Sequence, residues 1–227
     1  MTVDDLVRAV LVLKPPEGTF VVGLTGSVAS GKSTLAAELA PRLGAEVVNT
    51  DGFLLPTAVL VARNLLYRKG FPESYDLASL TAALAGVRRG PTDFPAYSHI
   101  TFDPVPGLTH DRPAVLLIEG LALGLSRPPS TDGIDCLVYL DAAEADLETW
   151  FVDRFVVFWE EAEHDPTSFY QRFRHLDRAR VTEVAHQVWA QINLPNLRDH
   201  IAPVRTYADL VVVKGPDYAI VEIRPRS

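Results

Sequence analysis

Apolar residues in this chain gather in short dense runs separated by amphipathic stretches. Phe20-Val21-Val22-Gly23-Leu24-Thr25 is apolar and β-branched without alternation, the pattern of a strand covered on both faces. Further runs of strand length lie at 45–49, 114–118, 136–140 and 210–213. Helical spacing occupies 35–43, 77–88, 145–161 and 168–192. An earlier stretch, 2–13, sets Leu6, Val10 and Leu13 on one side of a helix that stops before Pro15-Pro16, because proline disfavours helix in the residue before it. Strands alternating with helices predict an α/β fold with a mainly parallel sheet flanked by helices on both faces. Residues 219–223 alternate and read as an antiparallel edge strand. Residues 89–112, with four prolines, break the alternation and read as an extended excursion or hairpin near a substrate site. With no repeat or linker, one domain is expected over 1–227, its first 18 residues a short helix and linker.

Composition narrows the class. A chain of 227 residues that is 48% hydrophobic and 22% charged can bury a core unaided, which excludes disorder, collagen and coiled coil. Twenty-one Lys and Arg against 29 Asp and Glu leave a net charge of −8, so nucleic acid and anionic membranes are not expected partners. Cys136 is the single cysteine and has no zinc-spaced partner, which fits a reducing compartment. Asp4 and Asp5 stand where a signal peptide carries basic residues, and no apolar run approaches the roughly 18–20 residues of a membrane span. A cytoplasmic location is the expectation.

Parallel sheets bind ligands beyond the carboxyl ends of their strands, and the chemistry-bearing residues cluster there. Gly26-Ser27-Val28-Ala29-Ser30-Gly31-Lys32-Ser33, followed by Thr34, matches the phosphate-loop pattern G-x-x-x-x-G-K-[ST] between a strand and a helix. Glycine is needed at Gly26 and Gly31 so that the backbone turns tightly against the anion. Lys32 is expected on the β- and γ-phosphates, and the Ser33 hydroxyl on Mg²⁺. Glu119 ends an apolar strand, the layout of a second nucleotide motif that supports Mg²⁺ or its water shell. Asp51, within Asn49-Thr50-Asp51-Gly52-Phe53, follows the second strand at the edge where a carboxylate can face the γ-phosphate and take a proton from an incoming hydroxyl. The Asn-Lys-x-Asp guanine reader of GTPases is absent, which favours ATP. In 145–161, Arg154 shares a helical face with Leu147, Trp150, Phe151, Phe155 and Phe158, and a charge on an apolar face requires a partner such as a polyphosphate.

Several segments together resemble the bacterial (type I) pantothenate kinases, within the wider group of phosphoribulokinases and uridine kinases. They are the phosphate loop with Thr34, Thr50-Asp51-Gly52-Phe53-Leu54, Lys69-Gly70-Phe71-Pro72-Glu73-Ser74-Tyr75-Asp76, Tyr97-Ser98-His99, Ile118-Glu119-Gly120, and Thr149-Trp150-Phe151 with Arg154-Phe155. Ile192-Asn193, Asn196-Leu197 and Val221-Glu222 extend the likeness over nearly the whole chain from Gly23.

The resemblance implies ATP-dependent phosphorylation of a primary alcohol, pantothenate in the parent family, at the first step toward coenzyme A. By that likeness Asp51 is the base, Lys32 and Arg154 neutralise the transferring phosphoryl group, and Tyr97 and His99 line the acceptor pocket. It also implies a homodimer. Phe151, Phe169 and Phe173 stand where the family places acceptor-contacting tyrosines, and His200 where it usually has an asparagine. Losing those polar partners opens the acceptor to a nucleoside such as uridine or another sugar-like alcohol. A nucleotide-binding regulator that transfers nothing is a third reading, opposed by the joint presence of Asp51, Lys32, Ser33, Glu119 and Arg154.

The parent family often has an arginine soon after the phosphate loop that lets coenzyme A compete with ATP, whereas Leu35-Ala36-Ala37 here is apolar or small. Coenzyme A inhibition should therefore be weak or absent; competition with ATP at micromolar coenzyme A in a steady-state assay would refute this.

Overall fold

The computed structural model describes residues 1–98, 101–125 and 132–226. Six strands form one sheet in the order β2-β5-β1-β6-β7-β8: β1 (Phe20–Gly26), β2 (Glu46–Asn49), β5 (Val115–Glu119), β6 (Cys136–Asp141), β7 (Leu210–Lys214) and β8 (Ile220–Pro225). All neighbours pair in parallel except β7 and β8, so the alternating run near the end is an antiparallel edge strand as its pattern predicts.

The central strands are fully covered because each face has its own helices. Phe20, Val22 and Leu24 of β1 point with Leu117 and Val138 toward α1 (Val3–Val12) and α2 (Lys32–Leu43), where Leu6, Val10, Leu35 and Leu39 close the layer. Val21, Leu116, Ile118 and Leu137 point the other way, toward α4 (Leu77–Gly86), α5 (Glu144–Glu161) and α6 (Arg178–Val188). Each such leucine or isoleucine withdrawn from water contributes about 1.5–3 kcal/mol. Leu13 does not join them: it is the C-cap of α1 and 43% exposed. α3 (Thr57–Ala62) and the 3-10 turns at Thr50–Phe53, Leu66–Arg68 and Pro72–Ser74 are too short to carry a periodicity.

The stretch 168–192 is not one helix. Ser168 caps a 3-10 turn, Phe169–Phe173, and α6 starts afresh where the Asp177 carboxylate accepts from the Arg180 N–H. Beyond α6 the chain widens into π-helical turns at Trp189–Asn193 and Leu197–Ile201 on either side of Pro195, which has no N–H to give the helical ladder.

The proline-rich excursion is an antiparallel hairpin of β3 (Pro91–Ser98) and β4 (Asp103–Asp111), with a register shift between Phe94 and Ala96. It packs on the turn after β2 so closely that a Cβ on Gly52 would lie 1.9 Å from the Pro95 carbonyl oxygen. Gly52→Ala should therefore lift the hairpin and cost about 1–3 kcal/mol, read as a lower urea midpoint. An unchanged midpoint would show that the hairpin is not held there.

Candidate active site

Three strand ends supply the site. The carboxyl end of β1 continues into the phosphate loop, where Gly26 has φ +147° and Gly31 φ +81°. A Cβ on Gly26 would sit 2.6 Å from the Leu140 carbonyl oxygen, so the loop hugs the neighbouring strand. Gly31 is the N-cap of α2 and offers no side chain to its first turn, which holds no acidic residue. α1, α4 and α6 are instead capped by Thr2, Asp76 and Asp177. The first N–H groups of α2 are thus left for an anion. The Ser27 and Ser30 hydroxyls are buried and have no hydrogen-bond partner among the described residues, as expected of a cradle built for a polar guest.

Lys32 is 9% exposed and folds back over the loop, its Nζ donating to the Gly26 carbonyl at 3.2 Å and the Ser27 carbonyl at 2.8 Å. Burial pushes its pKa down to about 8; Glu119 opposes the shift and Arg154 reinforces it.

Glu119, at the end of β5 and 4% exposed, accepts on Oε1 from Ser33 Oγ at 2.9 Å and from Asn49 Nδ2 at 2.6 Å. Its Oε2 accepts from no protein donor among the described residues. Asn49, the last residue of β2, also accepts the Asp51 N–H on Oδ1 at 2.7 Å, so one amide side chain ties Glu119 to the turn that carries Asp51. Among the described residues no group of three or more His, Cys, Asp or Glu gathers to hold a metal alone. One carboxylate and one hydroxyl beside a phosphate cradle are the oxygen ligands expected of Mg²⁺, which keeps several waters and shares phosphate oxygens.

Asp51, Lys32, Ser33, Glu119 and Arg154 border one cavity of about 660 Å³, walled by Phe102, Phe158, Phe169 and Tyr170. Arg154 makes no ion pair among the described residues and also borders a second cavity of about 670 Å³ beyond the loop, with Gly31, Thr34, Lys214 and Tyr218. There Lys214 Nζ donates to the Ser30 carbonyl at 3.1 Å, and Tyr218 stacks on Trp150 at 3.9 Å between centroids. Two polar-edged chambers meet at the phosphate loop, a geometry suited to a donor and an acceptor.

Phe169 stands in the cavity wall, its ring 4.9 Å from that of Phe102 on the hairpin. Three other residues expected at the acceptor, Phe151, Phe173 and His200, lie away from this cavity. Phe151 is 8% exposed and packs inward on Phe155 and Trp189, one helical turn being enough to bring 151 and 155 together on the core side. Phe173 packs behind Phe155 and Phe169, and His200 lies edge-on to Phe71 at 5.8 Å, neither bordering the cavity. Tyr97 joins Asp51 on a smaller cavity of about 270 Å³, and burial, then the charges of Asp51 and Asp103, push its pKa up to about 12. His99 lies outside the described residues.

Sequence reasoning assigned no role to Asn49, Tyr75, Phe102, Lys214 or Tyr218. Lys214 did carry a signal, a cation at the carboxyl end of a parallel strand. Tyr75, whose hydroxyl donates to Asp51 Oδ1 at 3.1 Å, lay inside a quoted motif without a role.

The chain matches no family model. It is 40% identical over 228 residues to the pantothenate kinase of Rhizobium johnstonii, covering 92% of this chain and 69% of that protein. It is 42% identical over 217 residues to the pantothenate kinase of Sorangium cellulosum, covering 88% and 70%. Among solved structures, a putative fructose transport system kinase from Silicibacter sp. TM1040 superposes with a TM-score of 0.75 at 28% identity, covering 93% of this chain and 98% of that one.

Because the Lys32 pKa falls from 10.5 to about 8 on folding, the unfolded chain binds more protons between those values. Stability rises with pH across that window, and the cost of the buried charge is fully present below about 8. Lys32→Met should accordingly be more stable than the parent protein at pH 7, by on the order of 1 kcal/mol in urea melts, with the gap narrowing toward pH 10. A variant less stable at pH 7 would contradict the assignment of Lys32 as a strained, function-bearing charge.

Proposed function

The chain belongs to the pantothenate kinase family, and on that premise we propose that it moves the terminal phosphoryl group of ATP onto the primary alcohol of pantothenate. It is a phosphotransferase with an alcohol acceptor, on a phosphate-loop kinase fold. The observation that carries the proposal is that Asp51, Lys32, Ser33 and Arg154 border one cavity.

Each residue's part follows from its place. The open N–H groups of the α2 first turn and the loop bind the triphosphate. Lys32 and Arg154 neutralise the charge that develops on the transferring group. Asp51 accepts the proton of the acceptor hydroxyl as the new phosphorus–oxygen bond forms, and holds that hydroxyl in line. Ser33 and Glu119 hold Mg²⁺, which supplies charge compensation on the phosphate oxygens. ATP rather than GTP fits a chain without the guanine reader. A cytoplasmic homodimer belongs to the same reading; among the described residues no helix is long and apolar enough to cross a membrane.

A second acceptor reading, a sugar-like alcohol, is favoured by two observations. Four aromatic rings, Phe102, Phe158, Phe169 and Tyr170, stand in the cavity wall beside polar groups such as Asp165 and Thr167, and the 28% identical solved structure matched over 98% of its length is named for a fructose transport system. Aromatic faces suit sugar C–H surfaces as well as the dimethyl-bearing end of pantothenate.

Coupled ADP release measured with pantothenate, pantetheine, fructose and uridine separates these readings. Pantothenate should give the highest kcat/KM; turnover confined to fructose or uridine would move the acceptor, and none at all would favour a regulator. Asp51→Asn should lower kcat by ~10²-fold or more and leave ATP affinity nearly intact. Normal turnover in that variant would require another base.

A further inference from the structure

Asp51 accepts a hydrogen bond from one side chain among the described residues, the hydroxyl of Tyr75. That hydroxyl binds Oδ1 at 3.1 Å, and Oδ2 accepts no hydrogen bond among the described residues. Asp51 is half-buried and borders the main cavity. One carboxylate oxygen is therefore held by protein while the other is free for a guest.

The hydroxyl is held firmly. Tyr75 is 6% exposed and forms an antiparallel bridge with Leu54, three residues after Asp51. The bridge is stitched on both sides, Leu55 N–H to the Ser74 carbonyl and Asp76 N–H to the Phe53 carbonyl, each at 2.8 Å. Donor and acceptor thus sit on two segments that this bridge joins. On the opposite side, Asn49 Oδ1 fixes the Asp51 backbone N–H at 2.7 Å. Burial, then the neighbouring Asp51 charge, holds the Tyr75 pKa well above its usual value, so the phenol remains a donor.

Resting on the reading of Asp51 as the base, we infer that Tyr75 is a positioning residue for it: by occupying Oδ1, it presents Oδ2 to the acceptor hydroxyl. A rotated carboxylate would satisfy the tyrosine poorly, and misplacing a catalytic group by an ångström is costly in rate. Tyr75 touches neither substrate in this account and acts only through Asp51.

The test is a double-mutant cycle of Tyr75→Phe and Asp51→Asn, with turnover read on the best acceptor among pantothenate, fructose and uridine. Tyr75→Phe should lower kcat about 10-fold and leave KM for ATP unchanged. In the Asp51→Asn background the same change should matter by less than about 2-fold, because the carboxylate through which it acts is gone. Penalties that multiply would overturn the inference, since the hydroxyl would then act elsewhere. So would wild-type kcat in Tyr75→Phe, and so would a failure of that variant to fold, which would make the hydroxyl a structural element. If Asp51→Asn itself turns over normally, the base assignment fails first, and the inference with it.

Discussion

The site depends on a concentration of unpaired backbone donors at the start of α2. A loop that must turn between β1 and that helix, and approach the Leu140 carbonyl within 2.6 Å of where a Cβ would be, has to use glycine at Gly26. The glycine cap that follows leaves the α2 first turn without a side-chain acceptor. Lys32 is drawn into the same space and satisfies itself on loop carbonyls, giving up part of its charge stability to burial. Every other functional group is useful only because it faces that positive cradle.

The sheet then supplies the opposing groups at no further cost in irregular structure. Parallel strands end on one side, so the last residues of β2 and β5, Asn49 and Glu119, arrive beside the loop without a long connection. Asn49 joins the two functions by holding Glu119 with its amide nitrogen and the Asp51 turn with its amide oxygen. Gly120 permits this closeness, since a Cβ there would collide with Thr50 Oγ1 at 1.8 Å.

Much of this was legible in the sequence where a pattern is local. The expected sheet strands formed within two residues of their runs, β1, β5 and β6 because parallel strands buried on both faces need continuous apolar stretches, and the proline-rich excursion became a hairpin. Helices failed where a local competitor acted: Asp177 restarts the chain after the Phe169–Phe173 turn, and Pro195 breaks the ladder beyond it. In the site, Lys32, Ser33, Asp51 and Glu119 were readable from motif and strand ends and Arg154 as a charge on an apolar helical face, and the five share one cavity. The acceptor wall was less readable. Which of Phe151, Phe169 and Phe173 faces the cavity depends on how the Phe169–Phe173 turn packs against α5, a tertiary fact that no spacing within one segment contains. Tyr75 reaches Asp51 only because a backbone bridge folds 24 residues back on themselves.

The most direct measurement of the central claim is the distance from the Asp51 carboxylate to the terminal phosphorus in a crystal structure with Mg²⁺ and a non-hydrolysable ATP analogue. The account predicts that the triphosphate lies in the loop, that Lys32 has left the Gly26 and Ser27 carbonyls for phosphate oxygens, and that Asp51 faces the terminal phosphorus across a gap about one hydroxyl wide. A terminal phosphate directed away from Asp51, with Lys32 still on the loop carbonyls, would contradict it.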